Sequence, residues 1–134
     1  MLTTPASSVV ARPVVLRDPV VVEGEWQAAT TMLIGAEEPV FAGHFPGFPI
    51  LPGVCVLECV HHSLRTVAPE LLADARMDGI ESARFTGTVV PGDELIIDLR
   101  WNTEADRVRC SAKAHSGQSA IATIRLTYRR GGAG

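Results

Sequence analysis

Three prolines at three-residue intervals, Pro46, Pro49 and Pro52, leave the middle of this chain few conformations to choose from. Each fixes φ near −65° and biases the residue before it towards extended geometry, so residues 45 to 51 are expected as an ordered, non-helical loop. Pro52 then stands where a first-turn proline belongs. The run that follows, about residues 52 to 66, is apolar at Val54, Cys55, Val56, Leu57, Cys59, Val60 and Leu64. A helix apolar on nearly every face is expected to be buried on nearly every face. Its one carboxylate is Glu58, and the loop ahead of it carries His44.

The rest of the chain has to support that stretch. With 134 residues it is long enough for one domain with a real core and too short for two. A net charge of −3 gives no general attraction to nucleic acid or to anionic lipid, so neither is expected as a partner. No apolar run reaches the ~18 residues that would span a bilayer, and residues 1 to 8 lack the charged and apolar regions of a signal peptide. Cys55, Cys59 and Cys110 are an odd count without secreted-scaffold spacing, which reads as reduced thiols in a cytoplasmic protein.

Residues 1–12 are small, polar and without period, and are expected as a flexible amino-terminal arm. Residues 13–129 form the single domain and 130–134 a flexible tail. Val14 to Trp26 holds short β-branched runs broken by Pro19 and Gly24, and leads into Gln27 to Ile34; these are strand signals. Gly35 to Pro39 reads as a turn. The helix should stop before Pro69, residues 70 to 76 form a short link, and Ile80 to Thr88 reads as a strand. Alternation of apolar and polar residues then sets in at Leu95 to Trp101, at Val108 to Ala114 and at Ala120 to Tyr128, separated by turn signals. One long helix and at least five strands predict an α+β fold in which a curved antiparallel sheet wraps around a central helix, whose amino end lies at the sheet's rim.

Buried carboxylates are costly when ionised, so a Glu58 in the helix should favour a protonated form able to donate, unless a backbone group, His61 or His62 satisfies it. His44 could brace a turn. Held by three prolines near the same helix amino terminus, however, an imidazole and an acid stand beside backbone N–H groups that lack intrahelical partners, including that of Gly53. A base, an acid and an oxyanion donor are what is needed to remove a proton beside a thioester carbonyl and expel a β-hydroxyl. Cys55, Cys59, His61 and His62 match no zinc spacing, and no metal is expected there.

Gly-His44-Phe45-Pro46-x-x-Pro49-x-x-Pro52-Gly53-Val54-x-x-x-Glu58 resembles the signature of the β-hydroxyacyl-acyl-carrier-protein dehydratases of bacterial fatty-acid synthesis. Ala83-Arg84-Phe85 and Val90-Pro91-Gly92-Asp93-x-Leu95 resemble a second block of that family. The resemblance covers about residues 28 to 128, and glutamate at 58 points to the branch that dehydrates without isomerising. It implies a hotdog fold, a homodimer, higher oligomer or heterodimer with sites at the interface, and an acyl carrier protein bearing a 3-hydroxyacyl chain as partner. It also implies His44 and Glu58 as catalytic residues contributed by different subunits, Gly53 N–H as the thioester-oxygen donor, and no cofactor. Phe45, Pro52, Val54, His62, Arg84 and Phe85 would line or support the site. The chain departs from the family at His62, where Gln is common, and at His61, where a small residue is usual, which leaves fatty-acid and polyketide or polyene pathways both open. A hotdog acyl thioesterase and a non-catalytic subunit of a heterodimeric dehydratase are the alternatives.

Overall fold

A computed structural model describes residues 9–43 and 50–131. The order of elements is β1 (Val14–Val22), β2 (Glu25–Leu33), α1 (Pro39–Gly43), α2 (Gly53–Val67), α3 (Pro69–Leu72), β3 (Ala75–Phe85), β4 (Glu94–Glu104), β5 (Arg107–Ser116) and β6 (Ser119–Arg130). Two-residue turns close three of the hairpins. Between β1 and β2, Glu23 and Gly24 both take positive φ, 52° and 82°, the twist that such tight hairpins need. Pro19 does not break β1. It sits where the register slips between Arg17 and Val20, on a strand at the edge of the sheet, where the missing N–H costs little.

All six strands form one antiparallel sheet in the order β1-β2-β4-β5-β6-β3. The alternation seen in the sequence becomes aligned rows: Ile97, Ala114 and Ala122 face one another across three strands, as do Leu99, Ala112 and Ile124. These rows and α2 close the core, each large apolar side chain contributing about 1.5–3 kcal/mol on burial. Trp26 and Trp101, directly paired on β2 and β4, stack at 6.2 Å.

Three expectations need correction. Helix α2 is not buried all round. Cys55, Val56, Cys59, Val60, Ser63, Leu64 and Val67 meet the sheet, but Val54 is 62% exposed and Glu58 and His62 show a third of their side chains. These last three recur every fourth residue and form one stripe, on the side the sheet does not cover. The turn expected at Gly35 to Pro39 is present, with Glu38 N–H donating to Gly35 O, but the run-in to the proline loop that follows it is a short helix, α1. Strand β3 starts at Ala75 and ends at Phe85, earlier than the expected span of Ile80 to Thr88. The helix itself ends at Val67, ahead of Pro69 as anticipated.

Candidate active site

The amino terminus of α2 is held by its neighbours. Leu51 N–H donates to Val89 O at 2.8 Å, which fixes the approach of the chain. Pro52 is the residue ahead of the helix rather than its first residue, with φ −62° and ψ 152°, and its carbonyl takes the N–H groups of Cys55 and Val56. Gly53 is therefore the first helical residue. Its N–H has no intrahelical acceptor and points outwards at the positive end of the helix dipole. Phe85, the last residue of β3, leans its ring over this glycine: a Cβ at position 53 would lie 3.0 Å from Cζ and 3.2 Å from both Cε atoms. Only glycine leaves that contact relaxed.

Glu58 stands on the uncovered stripe of α2, five residues further along. Its Oε1 accepts the N–H of Val9 at 3.2 Å, and its Oε2 lies 3.9 Å from Nε2 of His62. The full burial expected for this carboxyl is absent, since a third of the side chain is exposed. Burial is found instead at Glu38, 4% exposed, whose two oxygens accept the N–H groups of Val10 and Ala11 at 2.7 and 2.8 Å. Residues 9–11, within the stretch expected as a loose arm, are thus tied to two carboxylates. Between residues 9–13 and the His62, Arg65 and Thr66 end of the helix face lies a groove of about 500 Å³. Both carboxylates reach Cys55 electrostatically: burial first, then Glu58 and Glu38, push its thiol up to about 11.

His61 takes a different direction from His62. Arg65 Nη2 donates to its Nε2 at 3.1 Å, which leaves Nδ1 to carry the proton and meet the Tyr128 hydroxyl at 2.8 Å. The imidazole and phenol rings stack at 5.7 Å. Burial, then the charges of Arg65 and His62, hold the His61 pKa below its ordinary value. The two histidines and the two helix thiols do not converge, because Cys55 and Cys59 point into the core.

Gly53, Phe85, Pro52 and Val54 are brought together at the helix amino terminus, and Glu58 and His62 along its exposed stripe. His44, Phe45 and the loop prolines Pro46 and Pro49 lie outside the described residues; α1 ends at Gly43, immediately before them. Arg84 is not gathered in. It pairs with Thr123 on β6, on the opposite side of the sheet from Phe85 and its partner Ala122. Glu38 and Val9 were missed. An acidic pair ahead of Pro39 looks like turn chemistry, and nothing in the pattern of residues 9–11 marks them for docking. What has assembled is a helix-end N–H that can stabilise an oxyanion, with a carboxyl able to exchange a proton a short way along the same helix.

A family model described as ApeI-like, ApeI dehydratase, matches residues 21–124. A 3-hydroxyacyl-[acyl-carrier-protein] dehydratase of Pelotomaculum thermopropionicum is 37% identical over 101 residues, 71% of this chain and 71% of its own. One from Haemophilus influenzae strain PittEE is 40% identical over 83 residues, 58% of this chain and 55% of its own. Apart from the first, the chain spans about half the length of the curated relatives it matches. Among solved structures, the dehydratase heterocomplex ApeI:P of Xenorhabdus doucetiae gives a TM-score of 0.68 at 22% identity, over 89% of this chain and 99% of that one. That likeness speaks for the fold, and the expected hotdog architecture holds.

Proposed function

The chain belongs to the ApeI-like dehydratase family, and on that basis we propose that it removes water from 3-hydroxyacyl thioesters, presented on an acyl carrier protein, to give trans-2-enoyl thioesters. The setting is fatty-acid or polyketide and polyene biosynthesis in the cytoplasm. In this reading His44 takes the C2 proton, and the electrons of that C–H bond form the C2–C3 double bond through an enolate whose oxygen rests on Gly53 N–H. Glu58 gives its proton to the C3 hydroxyl, the C3–O bond breaks, and water departs. No metal or organic cofactor enters. Phe45, Pro52, Val54, Phe85 and His62 shape the surroundings, and Arg84 is left aside.

The observation that carries this reading is the span between Gly53 and Glu58. Five residues of helix amount to about 7.5 Å of rise, a gap that a β-hydroxy carbonyl group bridges with one hydrogen bond at each end. The exposure of Val54, Glu58 and His62 supports a site closed by a second subunit, which would supply His44 and complete a homodimer. Among the described residues no helix is long and apolar enough to cross a membrane.

The test is absorbance of the enoyl thioester formed from a 3-hydroxyacyl chain on acyl carrier protein. His44→Ala and Glu58→Gln should each lower turnover by a hundredfold or more, in the range of lost general acid–base catalysis at about 10²–10⁴. Activity undiminished in both would sink the assignment. Release of free thiol with no enoyl product would instead identify a thioesterase, and native mass measurement decides between a homodimer and a mixed assembly.

A further inference from the structure

Glu38 is a carboxylate removed from water, and the chain satisfies it with backbone N–H groups from a segment that has no secondary structure of its own. Such a segment ordinarily frays. Here two consecutive N–H groups converge on one side chain, and charge-assisted bonds of this length are among the stronger ones a protein makes. The neighbouring N–H, that of Val9, points to Glu58. Glu38 is itself fixed: its N–H donates to Gly35 O, its carbonyl receives Phe41 N–H, and it immediately precedes α1.

We propose that Glu38 is a positioning residue for Glu58: by clamping Val10 and Ala11 it presents Val9 N–H to Oε1 of Glu58, and so leaves Oε2 as the oxygen that exchanges its proton. This rests on the acid role proposed for Glu58. When such a carboxyl is protonated, the oxygen that accepts the N–H serves as its carbonyl oxygen and the proton resides on the other. Oε2 is the oxygen on the side of His62, which lines the groove. The same clamp makes residues 9–13 one wall of that groove. Loss of Glu38 should therefore leave substrate binding largely in place and slow the chemical step, because the acid loses its orientation and not its presence.

The experiment uses the full chain and three variants, Glu38→Ala, Val9→Pro and the two combined. Amide hydrogen exchange reads residues 9–11, and steady-state kinetics use a 3-hydroxyacyl chain on acyl carrier protein. Glu38→Ala should expose the amides of Val10 and Ala11 and lose the protection of Val9. It should lower kcat about tenfold or more with KM within about twofold. Val9→Pro removes the donor to Glu58, and with it a buried side chain, but leaves Glu38 and its two N–H partners, so Val10 and Ala11 keep their protection while kcat falls by a similar factor. Combined, the losses should not multiply. Unchanged exchange in Glu38→Ala, wild-type kcat in Val9→Pro, or multiplying losses overturns the proposal. Should Glu38→Ala fold poorly, Glu38→Gln keeps the volume with one acceptor, and Val9→Pro stands independently. If the unmodified chain dehydrates nothing, the dehydratase reading fails, and exchange alone judges the clamp. Loss of Val9 protection in both Glu38→Ala and Glu58→Ala then upholds it, and protection retained in either overturns it.

Discussion

His61 on α2 and Tyr128 on β6 are joined through Nδ1 and the phenol oxygen at 2.8 Å, and the tyrosine is fully buried. It is a polar contact between helix and sheet in the half of α2 away from Gly53. It also makes sense of a histidine at that position: Arg65 caps one ring nitrogen, so the other is committed to the hydroxyl. Burial raises the tyrosine, which stays protonated throughout the working range.

The contact gives stability a pH dependence whose sign follows from the direction of the shift. His61 is held below its ordinary value of about 6.5, so below that pH the unfolded chain binds more protons than the folded one. Stability should fall as pH drops through about 6.5 and level off once the folded His61 is also protonated. Urea midpoints between pH 8 and pH 5 should show this decline, and His61→Phe should flatten it. Tyr128→Phe should cost about 1 kcal/mol at pH 8.

Gly53→Ala tests the close approach of Phe85. The new methyl would meet the ring at 3.0 Å, and the ring, 45% exposed, has room to swing away. Thermal stability should change little, since alanine favours a helix over glycine by up to about 1 kcal/mol, which offsets the crowding against the ring. Turnover should fall about tenfold or more, because the displaced ring and the added methyl crowd the N–H that holds the developing oxyanion. Pairing Gly53→Ala with Phe85→Ala should recover part of the loss.

Thr30 and Ser63 pin β2 to α2 through a hydrogen bond of 2.7 Å between two side chains wholly removed from water. Thr30→Val or Ser63→Ala alone strands one hydroxyl and should cost about 1–3 kcal/mol. The double variant strands none. Its loss should be smaller than the sum by roughly 1 kcal/mol in urea unfolding.

The thiols make a chemical test of the core. Burial pushes Cys110 up to about 12 and Cys55 to about 11, with Cys59 raised further. Thiolate is the reactive form. A thiol-specific reagent at pH 8 should therefore leave the native chain untouched for hours and label three cysteines in denaturant. Rapid labelling without denaturant would mean that α2 leaves the sheet readily.

How much of this could be seen beforehand depends on what fixed each part. The strands from Leu95 to Tyr128 are set by burial on one face, and alternation reports that directly. Helix α2 was legible within a residue, because three prolines delimit its start and Pro69 its end. Its exposed stripe was not. Val54 is apolar, but apolarity states a preference for burial and not which surface provides it. Glu38 and Val9 were invisible for another reason: Glu38 accepts from the main-chain N–H groups of Val10 and Ala11, and Val9 donates its own to Glu58, and every residue but proline has such a group, so no pattern distinguishes them.

The place of β3 in the sheet sets an order of events during synthesis. It is the first strand after the helix, yet its one neighbour in the sheet is β6, the last strand made. The hairpins β1-β2 and β4-β5-β6 can zip locally, but β3 has to stay open, its backbone N–H and C=O groups unpaired, until Arg130 has left the ribosome. Long-range pairing of this kind is slow and leaves sticky intermediates. Polypeptides interrupted before β6 should therefore be prime clients for chaperones. The roof over Gly53 is, in time, the last thing built.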